Sequence, residues 1–295
     1  MTSRVVCWTA ACLSAWGCAN EPTLVGDPGL PTRAVLAFDG TTPAPLGMAR
    51  LRIDDPATSA PGPAADIGAT DVTIELWVRP TAANARPAVA CGANVAWIEG
   101  NIILDRDRFN RDRKFGLSLA GGRVVFGVSG NGTGDRTICG TTSITDDRWH
   151  HIAVTRRVAD GALALWLDGR LEASVASGPA GDISYPDDAV PGSFCNGQPC
   201  TNSDPYLVLG GEKHFGAPGY PGFVGRIRAL RFSSGVRYTA PFVPGPAFPV
   251  DLTTIASWPF TEGSGLLAAD AVGGPPFRLE VGGTPAGPRW VTEAN

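Results

Sequence analysis

The sequence predicts an all-β protein of antiparallel strands with short connections, on three observations. Apolar residues recur at every second position in many short runs, and no long window shows the spacing of an amphipathic helix. The 295 residues include 38 glycines and 26 prolines, and only 18% of them are charged, which favours many strands joined by turns. Asp-Gly pairs follow several apolar runs, and this dipeptide favours tight hairpin turns.

Residues 1–18 predict an export signal. Arg4 is their one charged side chain, and the apolar run 5–17 that follows is too short for a membrane span. The run ends at Cys18, so lipidation of this cysteine and plain secretion are both open. Residues 19–33 are rich in proline and glycine and predict a flexible tether. We therefore expect an exported protein, either a cell-surface or outer-membrane lipoprotein or a secreted one.

Alternating apolar residues predict several strands in the first half of the chain. Residues 48–53 are a candidate partner strand for 34–40, and 71–80 is the clearest strand, with successive side chains on opposite faces. Residues 95–104 predict one strand interrupted at its glycine, or two short strands. Residues 115–129 predict a hairpin that turns at Ala-Gly-Gly.

The stretch 146–175 predicts two consecutive hairpins. An apolar run precedes a turn at 159–161, and the leucines of 163–167 share one face of the next strand. Asp168-Gly169 then makes a second tight turn. Trp149 and the three leucines are the candidate core residues of this stretch.

Cysteine usage predicts disulfides. Four cysteines follow Cys18, and an even number is typical of disulfides in an exported protein. Cys195 and Cys200 close a small loop, which leaves Cys91 and Cys139 as the second pair. Zinc binding is the rival interpretation, but the chain has no second close cysteine pair and no histidine near the first one.

The last strands of the main unit follow a long loop. Residues 206–212 predict a strand and turn, and 222–244 contain the final strand. Within it, Ile227, Leu230 and Phe232 break the two-residue alternation by one position. A β-bulge inserts one extra residue and would keep all three side chains on the core face.

The order of these segments resembles the laminin-G-like, concanavalin A-like domains of bacteria and phages. The resemblance covers residues 34–244 and rests on four motifs in this chain. They are F-D-G at 38–40, W-H-H-I-A-V at 149–154, L-D-G-R-L-E-A-S at 167–174 and S-G-V-R-Y-T-A-P-F at 234–242. It implies an all-β jelly roll, a sandwich of two antiparallel sheets.

The resemblance also bears on domain organisation. Such domains normally begin with a strand like L-x-x-F-D/E-G-S-G, and here the similar segment, 256–281, lies near the C-terminus. We therefore predict one jelly-roll domain at 34–249 whose sandwich is completed by strands of 250–295, as in a circular permutation. The alternative is a truncated second domain, but so short a segment cannot bury a sandwich core of its own.

Several function classes are disfavoured. The formal net charge of −4 argues against nucleic acid as a main partner. Related glucanases carry paired carboxylates in an E-x-D-x-x-E pattern, which is missing here, so we do not expect an enzyme. His150 and His151 are adjacent on a predicted strand and must point to opposite faces, so we expect them to pack and form hydrogen bonds.

Calcium is the cofactor that the resemblance makes most plausible. Asp39 matches the aspartate of the family's F-D-G pattern, although an Asp in a turn is the simpler role. Asp105, Asp107 and Asn110 would add oxygen ligands, but the arginines between them oppose cation binding. We expect the charged run 105–114 to form a solvated, self-paired loop, and the alternative is a contact for an anionic glycan.

Aromatic side chains in or beside loops are candidate sugar contacts, because pyranose rings stack on aromatic faces. The candidates are Trp97, Phe109, Phe215 and Tyr220, and packing in the interior is the alternative role. By fold analogy we expect a non-catalytic binding or adhesion module whose partner is a glycan or a cell-surface protein. A structural or protein-interaction module is the alternative, with glycoside hydrolase third. Membrane contact is expected only through a lipid at Cys18.

Overall fold

The computed structural model describes most of the chain from Thr32 onward. It covers residues 32–40, 46–53, 65–108, 111–185, 194–195, 198–199, 206–213, 219–283 and 286–294, with the backbone alone at 194–195 and 198–199. The predicted export signal and Cys18 lie outside these residues. No helix in the described part of the chain is long and apolar enough to cross a membrane.

The described chain consists of strands and one short 3-10 helix, at Ala96–Glu99. In chain order the strands are β1 (Thr32–Asp39), β2 (Met48–Arg52), β3 (Val72–Pro80), β4 (Asn101–Arg106), β5 (Lys114–Ala120), β6 (Arg123–Ser129), β7 (Asp135–Ser143), β8 (His150–Arg156), β9 (Leu163–Leu167), β10 (Arg170–Val175), β11 (Phe194–Cys195), β12 (Gln198–Pro199), β13 (Tyr206–Leu209), β14 (Val224–Ser234), β15 (Thr254–Trp258), β16 (Leu267–Ala268), β17 (Phe277–Glu280) and β18 (Arg289–Ala294).

These strands form two antiparallel sheets of eight strands each. Sheet 1 has the order β10-β9-β8-β3-β14-β1-β18, with β15 also paired to β14. Sheet 2 has the order β16-β17-β2-β13-β4-β5-β6-β7, and β11 and β12 form a separate pair. One hydrophobic core draws buried side chains from both sheets. The predicted all-β jelly-roll sandwich is therefore confirmed.

The two-residue alternation decides which side chains enter the core. In β3, Val72, Ile74, Leu76 and Val78 belong to the core cluster, while Glu75 faces the opposite side of sheet 1. Four apolar side chains from a single nine-residue strand thus enter the interior, as the sequence predicted.

The predicted hairpins and bulge are present. Strands β8, β9 and β10 are sequential neighbours, and the leucines of 163–167 are buried. Asp168 and Gly169 have φ angles of 49° and 78°, and positive values at both positions are what a type I′ turn requires. In β14 the register shifts between Ile227 and Ala229, which is the expected bulge.

Three local expectations were wrong. Strands β1 and β2 do not pair, because β14 and β18 occupy the two edges of β1 while β2 lies in sheet 2. The first part of 95–104 is the 3-10 helix, and its strand begins only at Asn101. Trp149 is half-buried outside the core, where the guanidinium carbon of Arg228 lies 4.9 Å from its ring centroid.

Strands from the C-terminal segment 250–295 pair with the main body in both sheets. β15 pairs with β14 and β18 with β1 in sheet 1, while β17 pairs with β2 in sheet 2. β15 and β1 lie end to end along one edge of β14, opposite Leu230–Ser233 and Val224–Ile227. The first strand begins at Thr32, within the predicted tether. The division at 249 stays a prediction, which truncation tests.

Candidate functional site

The outer face of sheet 2, which points away from the core, is divided into two halves. Over β5 and β6 it is covered by the segment 85–100, which we call the cover. The cover packs through a second hydrophobic cluster that includes Trp97 and Val125. The disulfide Cys91–Cys139 attaches the cover to β7, so this part of the disulfide prediction is confirmed.

Trp97 is the centre of the cover and not a sugar contact. Its side chain is 0% exposed, so no ring face is available to a ligand. It lies on Gly116 and Gly127, which are cross-strand neighbours in β5 and β6. A Cβ atom at either position would overlap the indole ring. The sequence signal for this packing was the glycine in each of two paired strands.

Over β2, β13 and β17 the described residues leave a cavity on the outer face of sheet 2. Leu51 of β2 and Leu207 of β13 point into the core, so their sequence neighbours Arg50, Arg52 and Tyr206 point outward. Arg278 of β17 is directly opposite Arg50 across the two strands. These side chains therefore meet on one surface although they come from distant parts of the sequence.

This surface is a groove of about 460 Å³. The described side chains that line it are Arg50, Arg52, Tyr206, Leu267, Pro275, Pro276, Arg278 and Glu280. The lining thus combines three guanidinium groups, one carboxylate and one aromatic ring with an apolar rim of leucine and proline. Hydrogen-bond donors beside an aromatic and apolar surface are typical of small-ligand sites.

Arg50 is held in position within the groove. Its guanidinium carbon lies 4.7 Å from the centroid of the Tyr206 ring, a cation–π contact. Its Nε atom is buried and has no hydrogen-bond partner among the described residues. The guanidinium is therefore oriented by stacking, while part of its hydrogen-bonding capacity is unused.

The outer face of sheet 1 carries a closed polar network under the segment 235–253, which we call the strap. Glu75 is fully buried there and accepts hydrogen bonds from Arg231 Nε at 2.7 Å and Tyr238 Oη at 2.6 Å. His151 Nε2 lies 3.1 Å from the same carboxylate. A carboxylate surrounded by donors and sealed from water binds the strap to the sheet.

The charge state of this network follows from its contacts. Burial alone would raise the pKa of Glu75, but the hydrogen bonds from His151 and Tyr238 and the charge of Arg231 outweigh it and lower the pKa. Burial and the charge of Glu75 raise the pKa of Tyr238. Glu75 is thus a structural carboxylate that is ionised at neutral pH, the opposite of a general acid, whose pKa must be raised.

His150 and His151 point to opposite faces, as the sequence predicted. His150 Nδ1 lies 2.8 Å from Asp168 Oδ2, and its Nε2 lies 3.1 Å from Asp146 Oδ1. The hydrogen bond with Asp168 raises the pKa of His150, burial partly opposes this, and Asp146 adds to the rise. His150, the first residue of β8, is therefore a clamp that joins the Asp168 turn to Asp146 in the segment before β8.

A pH-dependent stability follows from the clamp. Because the folded pKa of His150 is raised, its stabilising contribution is complete below the unfolded value of about 6.5 and is lost as the pH rises through the folded pKa. We expect the free energy of unfolding of the wild type to fall more steeply between pH 6 and pH 8 than that of His150→Gln. Urea titrations of both proteins at each pH measure this, and parallel curves would contradict it.

The surroundings of Asp39 do not fit a calcium ion. Asp39 forms an ion pair with Arg289, and the neighbouring carboxylate of Asp147 binds Arg79 at 2.9 Å. Guanidinium groups therefore occupy the carboxylate oxygens that a hard cation requires. Within the described ranges, no group of three or more His, Cys, Asp and Glu side chains is arranged to hold a metal.

Asp105 and Asp107 also have other partners. Asp105 is fully buried and accepts a hydrogen bond from the main-chain N–H of Lys213 at 3.1 Å. Asp107 forms an ion pair with Lys114 at 3.1 Å. The structure does not bring these two carboxylates together with Asp39 in one metal-binding group, and Asn110 lies outside the described residues.

The charged run 105–114 is self-paired as the sequence predicted, through Arg108–Asp112 and Lys114–Asp107, but it is buried and not solvated at its start. Strand β4 continues to Arg106, and Asp105, Arg106 and Arg108 are all buried. Burial lowers the pKa of Arg106 to about 10, while main-chain carbonyls accept its hydrogen bonds, including that of Arg113 at 2.9 Å. The density of charged residues concealed the strand, because two of these acceptors, the carbonyl groups of Ile67 and Ile183, come from other segments of the chain.

The remaining candidates lie outside the groove or outside the described residues. Tyr220 is partly exposed in the loop before β14 and does not line the groove. Phe109 and Phe215 fall outside the part of the chain that the structure describes, as does Cys200. Cys195 lies in β11, described by its backbone alone, so its pairing with Cys200 stays a prediction.

Sequence reasoning missed the groove for a topological reason. The alternation in β2 already placed Arg50 and Arg52 on one face. Nothing local to β2 shows that β13 and β17 become its neighbours, although both pairings define the site.

Comparison with known proteins gives one family match. A family model described as the concanavalin A-like lectin/glucanases superfamily matches residues 54–239. No curated protein matches the chain.

Three solved structures are similar at low identity. A candidate carbohydrate-binding protein from Bacteroides ovatus is 14% identical, with a TM-score of 0.49, over 89% of this chain and 60% of its own length. The CBM40 of the Ruminococcus gnavus IT-sialidase, bound to α2,3 sialyllactose, is 17% identical, with a TM-score of 0.43, over 68% of this chain and 90% of its own. Domains LG4-5 of the mouse laminin α1 chain are 18% identical, with a TM-score of 0.41, over 73% of this chain and 48% of theirs.

Proposed function

The chain belongs to the concanavalin A-like lectin/glucanases superfamily, and from this premise we propose that it is a non-catalytic module that binds carbohydrate through the groove on sheet 2. The observation that carries the proposal is the contrast between the two halves of the outer face of sheet 2. The cover seals one half, while the other leaves an aromatic ring and several hydrogen-bond donors in an open groove. With the export signal predicted at 1–18, we place this activity outside the cytoplasm.

The chemistry of the groove suits a saccharide. Guanidinium N–H groups donate to hydroxyl and ring oxygens, and Tyr206 and the proline rim offer apolar surface to the C–H face of a pyranose.

A binding role is favoured over hydrolysis by the carboxylates. Glycoside hydrolysis requires two carboxyl groups flanking the scissile bond, about 5 Å apart in retaining enzymes. Among the described residues that line the groove, Glu280 is the one carboxylate. Glu75, which could resemble a catalytic acid by its histidine and tyrosine neighbours, is sealed under the strap and held ionised.

A glycan microarray tests the proposal. We expect the full chain to bind a subset of glycans and Tyr206→Ala to lose about fivefold or more in signal, since an aromatic sugar contact contributes on the order of 1 kcal/mol or more beside its cation–π partner. Tyr220→Ala is the matched control, because Tyr220 is partly exposed but lies outside the groove, and it should bind like the wild type.

Two outcomes would count against the proposal. Loss of binding in Tyr220→Ala but not in Tyr206→Ala would move the site to the loop before β14. Absence of binding to every glycan would shift the function toward protein partners. Running the array with EDTA tests the calcium expectation in the same experiment, because a calcium-dependent lectin would lose its signal.

A further inference from the structure

The charge of the groove is opposite to that of the protein. The whole chain has a formal net charge of −4, yet the described lining of the groove contains three arginines and a single glutamate. A local excess of positive charge in an acidic protein is a property of that surface and not of general composition. It creates a favourable potential for an anion in the groove.

The strand register places the positive charges side by side. Arg50 and Arg278 are directly opposite each other on β2 and β17, and Arg52 is opposite Tyr206 on β13. Directly opposite residues have Cβ atoms about 4.5–5.5 Å apart, and like charges at this spacing destabilise a sheet. Glu280, two residues along β17 from Arg278, offsets only part of this repulsion.

We infer that the ligand of the groove is an anionic carbohydrate, a glycan whose sugars bear carboxylate or sulfate groups; this inference rests on the proposed function. An anion between Arg50 and Arg278 attracts both guanidinium groups and offsets their mutual repulsion. The guanidinium fork matches the planar carboxylate and the sulfate oxygens, and it binds them in a bidentate manner.

The position of Arg50 supports this role. Stacking at 4.7 Å on Tyr206 fixes the plane of its guanidinium, so little side-chain entropy is lost when an anion binds. Arg50 lines the groove, and the two Nη atoms of its guanidinium offer a carboxylate or sulfate a bidentate contact. Recognition through arginine needs no bridging metal, in agreement with the guanidinium groups that occupy the carboxylate at Asp39.

The apolar rim of the groove favours a glycan over other polyanions as the ligand. Leu267 is half exposed beside Pro275 and Pro276, and Tyr206 lies on β13, directly opposite Arg52. A sugar ring has a C–H face that covers such a surface, whereas inorganic polyphosphate has no apolar surface and would meet the arginines alone. The groove therefore offers a charged sugar two kinds of contact at once.

Matched polymers test the inference with the full chain. In biolayer interferometry we expect binding to polygalacturonate or to dextran sulfate, with at least about tenfold weaker binding to carboxyl-reduced polygalacturonate or to dextran, since charge-assisted hydrogen bonds contribute about 1.5–3 kcal/mol each. The two pairs separate carboxylate from sulfate recognition. Arg278→Gln should weaken binding to the charged polymer about tenfold, while Arg123→Gln, an exposed arginine of the same sheet outside the groove, should not.

The outcomes distinguish this inference from the proposed function. Equal binding to a charged polymer and its neutral counterpart would overturn the inference and leave carbohydrate binding intact. Equal binding to polyglutamate would reduce the site to a general polyanion surface and also overturn it. Binding to none of the carbohydrate polymers would contradict both the inference and the proposed function. Because Arg278 is exposed, circular dichroism of Arg278→Gln should match the wild type and exclude misfolding as the cause of a loss.

Discussion

Deletion of residues 250–295 is expected to abolish cooperative folding of the chain. The segment supplies strands to both sheets, so its removal exposes an edge of β1 and of β2 and one stretch of β14. Unpaired strand edges lose their hydrogen bonds and favour aggregation.

The deletion also removes three buried aromatic side chains from the hydrophobic core. Trp258, Phe260 and Phe277 are each 0% exposed, and Trp258 packs edge-on against Phe232 and Phe277, with ring centroids 5.3 and 4.9 Å apart. Removing one buried aromatic side chain typically costs about 3–5 kcal/mol. Losing three of them approaches or exceeds the total stability of about 5–15 kcal/mol that a domain possesses.

Thermal unfolding followed by circular dichroism measures the effect. We expect a sharp transition for the full chain and none for the truncated chain. Trp258→Ala in the full chain is the graded control, and it should lower the free energy of unfolding by about 3–5 kcal/mol without abolishing the transition. A truncated chain that unfolds at the wild-type temperature would show that the segment is not part of the sandwich.

Replacement of Glu75 is expected to be the most damaging single change outside the apolar core. Arg231 is only 5% exposed, and its guanidinium donates to Glu75. Glu75→Ala would leave a buried positive charge without its partner and would remove the acceptor of the hydroxyl of Tyr238, which binds the strap to the sheet. Breaking a buried ion pair from one side costs about 3–5 kcal/mol.

A double-mutant cycle separates the pair from its surroundings. Glu75→Leu with Arg231→Met removes both charges, and it should be less destabilising than the sum of the two single changes because no buried charge is left unpaired. Urea denaturation gives the four free energies. A cost below about 1 kcal/mol for Glu75→Ala, a value expected for exposed ion pairs, would contradict the structural role of the network.

Local sequence patterns predicted the parts of the fold that depend on local physics. The Asp168-Gly169 turn, the leucines of 163–167 and the bulge near Ile227 all follow from residue spacing and from the φ angles that particular residues tolerate. Opposite orientation of His150 and His151 followed from the same two-residue period.

What the sequence could not show depended on distant partners. Trp97 is aromatic and lies near loops, but its burial depends on Gly116 and Gly127 in two later strands. Arg106 was predicted to be solvated, because two of the carbonyl groups that accept its hydrogen bonds, those of Ile67 and Ile183, belong to distant segments. The groove arises only when β17, near the C-terminus, pairs with β2.

The most direct test of the proposed site is a crystal structure of the full chain grown with the oligosaccharide that binds best on the glycan array. We predict that the sugar lies across β2, β13 and β17, against Tyr206 and within hydrogen-bond distance of Arg50 and Arg278. A sugar bound instead beside Asp39 or beside Tyr220, with no ligand in the groove on sheet 2, would contradict the proposed binding site.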